Sequence, residues 1–437
     1  MLDIHLIYVY KLDGCLTRYI NISNGGHMKG LSVYKNVVHE KQYLKLIAAN
    51  VVNRFGDSID AIAFSWMAYQ ITGSATWMAI VFAFNAIPSI ILMPFAGAWV
   101  EAWDKKLVMV LTDIGRALIV LFYIFLYISN AMNPYVLIVG TLLISTLEAF
   151  RIPAGMAIIP LTLSKENYES GMSLNATLRQ FSMVVGLALA GGVITLFGVV
   201  GAMVIDLVTF LLSGLFIYSI QIEKHVKKLE KSSTFYLIKE GFIYLKKAEV
   251  IFTLSILGVF MNFLFSPFGV LQTPYVVDIL KQQAFALSIM GVANVSGMGL
   301  GSFVFPMISK SISRHKILTL SGVGIGVSFI LFTFLHQDIP LYLLLASLAI
   351  VSFIFGLSAG LLQTSVTVSF MSHVDKEYIA RAGSIFNALV MGSIPLSSLL
   401  LSGITLLLQV PQIMLLYGIL SIGLFILVSF NRSLAKL

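Results

Sequence analysis

The chain has 437 residues, of which 58% are hydrophobic and 11% charged, with a mean hydropathy of +0.93. A soluble domain carries closer to a quarter charged residues, so the composition excludes a water-soluble fold and describes an all-helical, polytopic membrane protein. The net charge of +8 is scattered over short gaps between apolar runs, which is the distribution of a topology signal and excludes a nucleic-acid-binding stripe. With Cys15 as its single cysteine, the chain has no internal disulfide, cysteine zinc site or iron–sulfur cluster.

Residues 1–43 are polar to mixed and read as a cytoplasmic lead. The apolar run at 4–10 is too short to span and no small-residue cleavage site follows it. Met28 is an alternative start, because the basic stretch after it is an ordinary approach to a first span. Windows of about 20 apolar residues then count twelve spans. They lie at about 44–71, 75–100, 107–129, 134–160, 171–197, 200–222, 249–278, 284–309, 316–336, 340–370, 378–405 and 410–430.

Lys and Arg concentrate in every second gap. Lys105 and Lys106, Lys165, a lysine run from 224 to 247, Lys310 with Arg314 and Lys316, and Lys376 follow the even-numbered spans. The alternate gaps carry almost none, so both termini are expected in the cytoplasm. The longest internal gap, 223–248, separates a first six-span bundle (44–222) from a second (249–430), with a short tail at 431–437. Its latter part alternates apolar and basic residues and reads as an interfacial amphipathic helix. A pair of six-span bundles implies a parallel repeat with a substrate site between them.

The first span carries Arg54, Asp57 and Asp60, spaced i, i+3, i+6 on one helical face. A charge at the centre of a bilayer costs roughly 3 kcal/mol on insertion scales. Asp57 lies about 13 residues past the expected edge, which at 1.5 Å per residue is about 20 Å deep. One reading gives Arg54 to one acid and leaves the other to take and release a proton, with Asp57 the titrating group. The other is a static bridge from the first span to a neighbour such as the fifth, through Arg179.

Twelve spans in a 6+6 division, with a basic loop after the second, resemble the major facilitator superfamily. Local matches are similar to its drug:proton antiporter branch, that of macrolide efflux pumps and enterobactin exporters. They are Gly56-Asp57, the loop GAWVEAWDKKLVMVLTDIGRAL (97–118), FRIPAGMAIIP (150–160), LNATLRQ (174–180) and IDLVTFLLSGL (205–215). In two places the pattern departs from the family's: Glu101 and Ala102 stand where the loop motif has aspartate and arginine, and Leu187 replaces the proline of the antiporter motif in GLALAGG (186–192).

The resemblance implies a cytoplasmic gate of Glu101, Asp104, Lys105, Lys106, Asp113, Arg116 and Arg151, whose pairs break between two states. Its bland counterpart is a solvated topology anchor. Glu148 is read as a proton relay or as the intrahelical partner of Arg151, and Asp206 as a transport, capping or packing residue. Trp66, Tyr69, Asn262, Phe265, Gln272 and Gln363 are candidate walls of a substrate cavity, beside the reading that each packs or faces lipid. Pro267 and Pro274 make the seventh span a candidate gate. Gly297 with Gly301, and Gly186 with Ala190, have the spacing of close helix packing.

No Walker lysine, zinc-protease motif or serine–histidine–acid arrangement stands out, so no enzyme, cofactor or metal site is expected. The expected function is export of a hydrophobic or amphiphilic small molecule across the bacterial cytoplasmic membrane, driven by proton antiport. A siderophore or peptide is the alternative cargo. A non-transporting receptor or immunity protein, and a lipid flippase, are alternatives of another class. Protons, substrate and bilayer are the expected partners, and the resemblance implies a monomer.

Overall fold

The computed structural model describes residues 36–222, 249–374, 379–431 and 434. The lead before residue 36 and the expected amphipathic segment at 223–248 lie outside them. Eleven long helices carry the described chain: α1 (Lys41–Thr72), α2 (Ala75–Ala102), α3 (Lys105–Ile128), α4 (Pro134–Ala157), α5 (Tyr168–Tyr218), α6 (Glu249–Pro274), α7 (Ala284–Ile308), α8 (Arg314–Thr333), α9 (Leu341–His373), α10 (Ile379–Ile404) and α11 (Val410–Ser429). At 51 residues α5 holds two spans. Its limbs meet at Gly198, whose φ of +70° and ψ of −178° lie where only glycine sits without steric cost. That residue reverses the chain and makes twelve limbs.

Capping residues start several helices where the hydropathy changes. Ser74 accepts from the Trp77 N–H ahead of α2, Asp104 from Leu107 ahead of α3, and Asn133 from Tyr135 and Val136 ahead of α4. Nine stretches among the described residues are long and apolar enough to cross a membrane by length and composition. α1 is not one of them: Arg54, Asp57 and Asp60 make it too polar, and it is shielded by protein, chiefly by α5.

Helices α1–α5 pack on one another, as do α6–α11. Small residues decide the closest approaches. A Cβ on Gly56 would lie 1.8 Å from Thr209 Oγ1, and one on Gly186 would lie 2.8 Å from the Phe55 carbonyl oxygen, so α1 is wedged between the limbs of α5. α7 and α9 interlock from both sides. Gly297 and Gly301 face the carbonyls of Phe353 and Leu357, while Gly356 and Gly360 face those of Asn294 and Met298.

The halves meet through α2 with α10 and α5 with α7. Four hydrogen bonds join them among the described residues, and all four lie at the lysine-poor end. Ser65 and Thr273 share a hydroxyl contact of 2.5 Å, Tyr69 donates to Asp278, Thr76 and Thr405 are 3.0 Å apart, and the Gly191 N–H donates to Ser288 Oγ at 2.7 Å. α6 continues through Pro267 and widens after Pro274 into a π-type turn, Tyr275–Ile279. The turn is closed by Leu280 N–H on the Tyr275 carbonyl, and it carries Asp278.

Candidate functional site

The charged groups of the first half form two linked sets in its interior. In the first, Arg116 of α3 crosses to α1 and places Nη2 2.7 Å from Asp57 Oδ1. Its guanidinium lies 4.1 Å from the ring centroid of Phe210, on the second limb of α5. That sandwich fixes the plane of the group while leaving its edge for carboxylates. Arg116 Nε is buried and has no hydrogen-bond partner.

Asp206 stands one turn before Phe210 and therefore shares its helical face. It is 1% exposed, and its Oδ1 has no hydrogen-bond partner. The same Oδ1 lies 2.8 Å from where a Cβ on Gly56 would sit, beside Asp57. Arg116 is within electrostatic range of Asp57, Asp206, Glu148 and Asp113, and Asp206 within range of Asp57 and Asp60. Asp60 and Glu148 are part-exposed. Neither makes an ion pair among the described residues.

The second set is Asp113, Arg151 and Ser213. Arg151 Nε donates to Asp113 Oδ1, its Nη2 donates to Ser213 Oγ at 3.1 Å, and Ser213 donates to Asp113 Oδ2 at 2.6 Å. Asp113 is fully buried. Every strong contact closes within the triad, which staples α3, α4 and α5.

Several expectations change here. The cation on the first-span acids is Arg116, not Arg54: Arg54 turns to Met183 Sδ at 2.8 Å. Arg179 is exposed and forms no ion pair among the described residues, so it is not the bridge either. Asp113 and Arg116, neighbours on one helix, bind different partners. Arg151 takes Asp113 and not Glu148. Asp113, Arg116 and Arg151 are enclosed within the first half, away from the face that meets the second, because their partners sit on α1, α3, α4 and α5.

At the basic end Asp104 is a helix cap and Lys106 lies 5.0 Å from the centroid of the Tyr218 ring. The Glu101 side chain lies outside the described residues. Glu40 ties the start of α1 to the turn after α4, accepting from Ser164 Oγ at 2.5 Å and from Asn167 Nδ2 at 3.1 Å. The Ser164 hydrogen bond holds its carboxyl below the usual range.

The expected cavity walls are mostly packed. Trp66 is 8% exposed within the core. Tyr69 serves the contact between the halves, and Asn262 Nδ2 donates to the Val390 carbonyl at 2.5 Å. Phe265 meets Phe355 edge-on at 5.9 Å. Gln272 is part-buried and Gln363 exposed. Asp278, Ser213 and Ser65 were not singled out from the sequence. Only Asp278 left a signal there, as an acid four residues after a proline at a span end.

The family model described as Major Facilitator Superfamily matches residues 46–398. The chain belongs to the Major Facilitator Superfamily. Within that family it is 22% identical over 368 residues to macrolide efflux protein A of Streptococcus pyogenes, covering 82% of this chain and 88% of the relative. It is 24% identical over 355 residues to the multidrug efflux pump Tap of Mycolicibacterium fortuitum, covering 78% and 85%. The MFS-type transporter YvqJ of Bacillus subtilis (strain 168) is 23% identical over 368 residues, covering 82% and 84%.

Two solved structures illustrate the superfamily fold. The nucleoside transporter NupG superimposes with a TM-score of 0.72 at 13% identity, covering 90% of this chain and 100% of that one. A bacterial homologue of ferroportin in its inward-facing state gives 0.70 at 14% identity, covering 90% and 99%. This member of the superfamily is thus a multi-pass membrane transporter by family and by fold.

Proposed function

We propose that this transporter exports a hydrophobic or amphiphilic small molecule by alternating access, in exchange for protons. The observation that carries the reading is the charge balance of the first half: Arg116 pairs with Asp57, and Asp60, Asp206 and Glu148 lie within electrostatic range of that one guanidinium. Removing an unpaired carboxylate from water costs several kcal/mol, so such a group is kept neutral or compensated. Several carboxylates around one cation reach neutrality only with bound protons, and gaining or losing one changes which helices attract. Kinship with macrolide and multidrug efflux proteins supports an amphiphilic cargo and export as the direction.

The lysine-rich end is assigned to the cytoplasm by the positive-inside rule, in a cell membrane with both termini inside. The four hydrogen bonds between the halves then close the outer side, and this form would receive cargo from within. Glu101, Asp104, Lys105 and Lys106 stand at the cytoplasmic end, where a gate closing the other state would form. Each proton moving down a 100 mV potential supplies roughly 2.3 kcal/mol. The chain is expected to work as a monomer.

The test is expression in an efflux-deficient bacterium challenged with a panel of toxic amphiphiles, macrolides included, beside vesicles that report their pH gradient. The reading expects raised resistance to some compounds and gradient dissipation when those compounds are added. Resistance without any gradient response removes proton coupling. Lipid movement in liposomes without an ion gradient replaces export with flipping.

A further inference from the structure

Two buried groups of opposite character, on neighbouring helices and within electrostatic range, have no hydrogen-bond partner. Asp206 Oδ1 and Arg116 Nε are both sealed from solvent and both lack a hydrogen bond. Each such group is costly when left unmet, and more so when charged. They lie on packed helices, within electrostatic range, and Phe210 and Asp206 present one face of α5 to the guanidinium. Arg116 is occupied instead by Asp57, whose side chain is 21% exposed. The protein therefore holds one guanidinium within range of two carboxylates, one part-exposed and paired with it and one enclosed.

We infer that Arg116 is a two-position switch that exchanges Asp57 for Asp206, and that Asp206 is the enclosed proton-binding carboxyl of the coupling cycle. With Arg116 on Asp57, Asp206 is carried as the neutral acid, its unpartnered oxygen tolerated because it bears no charge. When the O–H bond of Asp206 breaks, the carboxylate left behind draws Arg116 across the face of Phe210. Asp57, released, is left as a part-exposed carboxylate, and the cluster takes a proton back when Arg116 returns to it. The proton of Asp206 leaves the cluster, so the two forms differ by one bound proton and pH sets their ratio. Asp57 and Asp60 of α1 and Arg116 of α3 are the charged groups within electrostatic range of Asp206. Because Gly56 lets Asp206 press against α1, the exchange pulls α1 toward or away from the second limb of α5. α1 also carries Ser65 and Tyr69, which hold the outer contact with α6. The switch and the outer closure are thus on one rigid helix.

This inference rests on proton coupling as proposed above, and the test separates the two. Spin labels on Ala131→Cys and His336→Cys, in a Cys15→Ser background in lipid nanodiscs, report the separation of the halves at the lysine-poor end as pH is varied. The unmodified cluster should shift between a closed and a separated population with pH. Asp206→Asn, close in size, should stay closed and lose the response or move its midpoint by at least one pH unit. Asp57→Asn should do the opposite and favour the separated form. Infrared difference spectra should contain a protonated carboxyl band in the closed form that Asp206→Asn removes. A responding parent with an unaltered profile and band in Asp206→Asn overturns the switch alone. A parent with no pH response overturns the coupling as well.

Discussion

The two halves share a plan of six limbs and fill it with opposite chemistry. The first half buries Asp113, Arg116, Arg151 and Asp206. Among the described residues of the second half, no Asp, Glu, Lys or Arg is buried, and its buried polar groups are Ser and Thr. Several of those hydroxyls bond back to their own helix, as Ser255 does to Ile251 and Ser328 to Gly324. The interior of the second half is instead glycine contact and stacked rings, with Phe268 and Phe355 at 4.3 Å and Phe329 edge-on to Phe355 at 5.3 Å. The contrast teaches where a conformational signal can originate. A charge network has alternative pairings that differ by a proton, whereas interlocked glycines and rings have one close-packed arrangement and move as a body.

The sharpest way to break the comparison is Arg116→Leu. It leaves Asp57 without its cation and should cost about 3–5 kcal/mol, read as a lowered unfolding temperature in detergent, with transport lost. Asp57→Asn should cost less, since no unpaired carboxylate is created there, and equal losses would argue that packing and not charge dominates this site. In the second half Gly360→Leu should cost about 1–3 kcal/mol by forcing α7 from α9, with the pH profile of transport unchanged. A shifted profile would mean that the apolar half titrates the cycle too.

Between the halves, Tyr69→Phe removes the donor to Asp278, a hydrogen bond worth about 0.5–1.5 kcal/mol. It should raise accessibility of the lysine-poor side to cysteine reagents without altering either interior. The smallest effect belongs to Glu40. Its lowered carboxyl contributes stability above the ordinary value of 4.5, and that contribution is lost as pH falls through the folded value. Glu40→Gln should therefore lose under about 1 kcal/mol at neutral pH and flatten the acid limb of the stability curve.

Much of the fold could be read from residues alone. The span expected at 134–160 is a helix from Pro134, capped by Asn133, and the one at 410–430 begins at Val410. The charged cluster was visible as chemistry but not as pairing. Asp113 and Arg116 are adjacent on α3, yet their side chains diverge by about 60° around its axis and meet different neighbours. Arg54 is nearer Asp57 in sequence than Arg116 is, but it points at Met183. Tyr69 looked like a cavity ring because nothing in its surroundings announces an aspartate 209 positions away.

By itself the amino-acid order determined where the chain crosses lipid, which gaps are basic, and that some carboxylates must be carried at depth. Those properties follow from transfer free energies, which depend on local composition. Which cation answers which acid, which acid is left over, and which end of the bundle is shut were decided by the rotation and tilt of packed helices. A guanidinium reaches only a few ångströms, and distances of that size between helices are fixed by glycines such as Gly56 meeting Thr209, not by spacing along the chain.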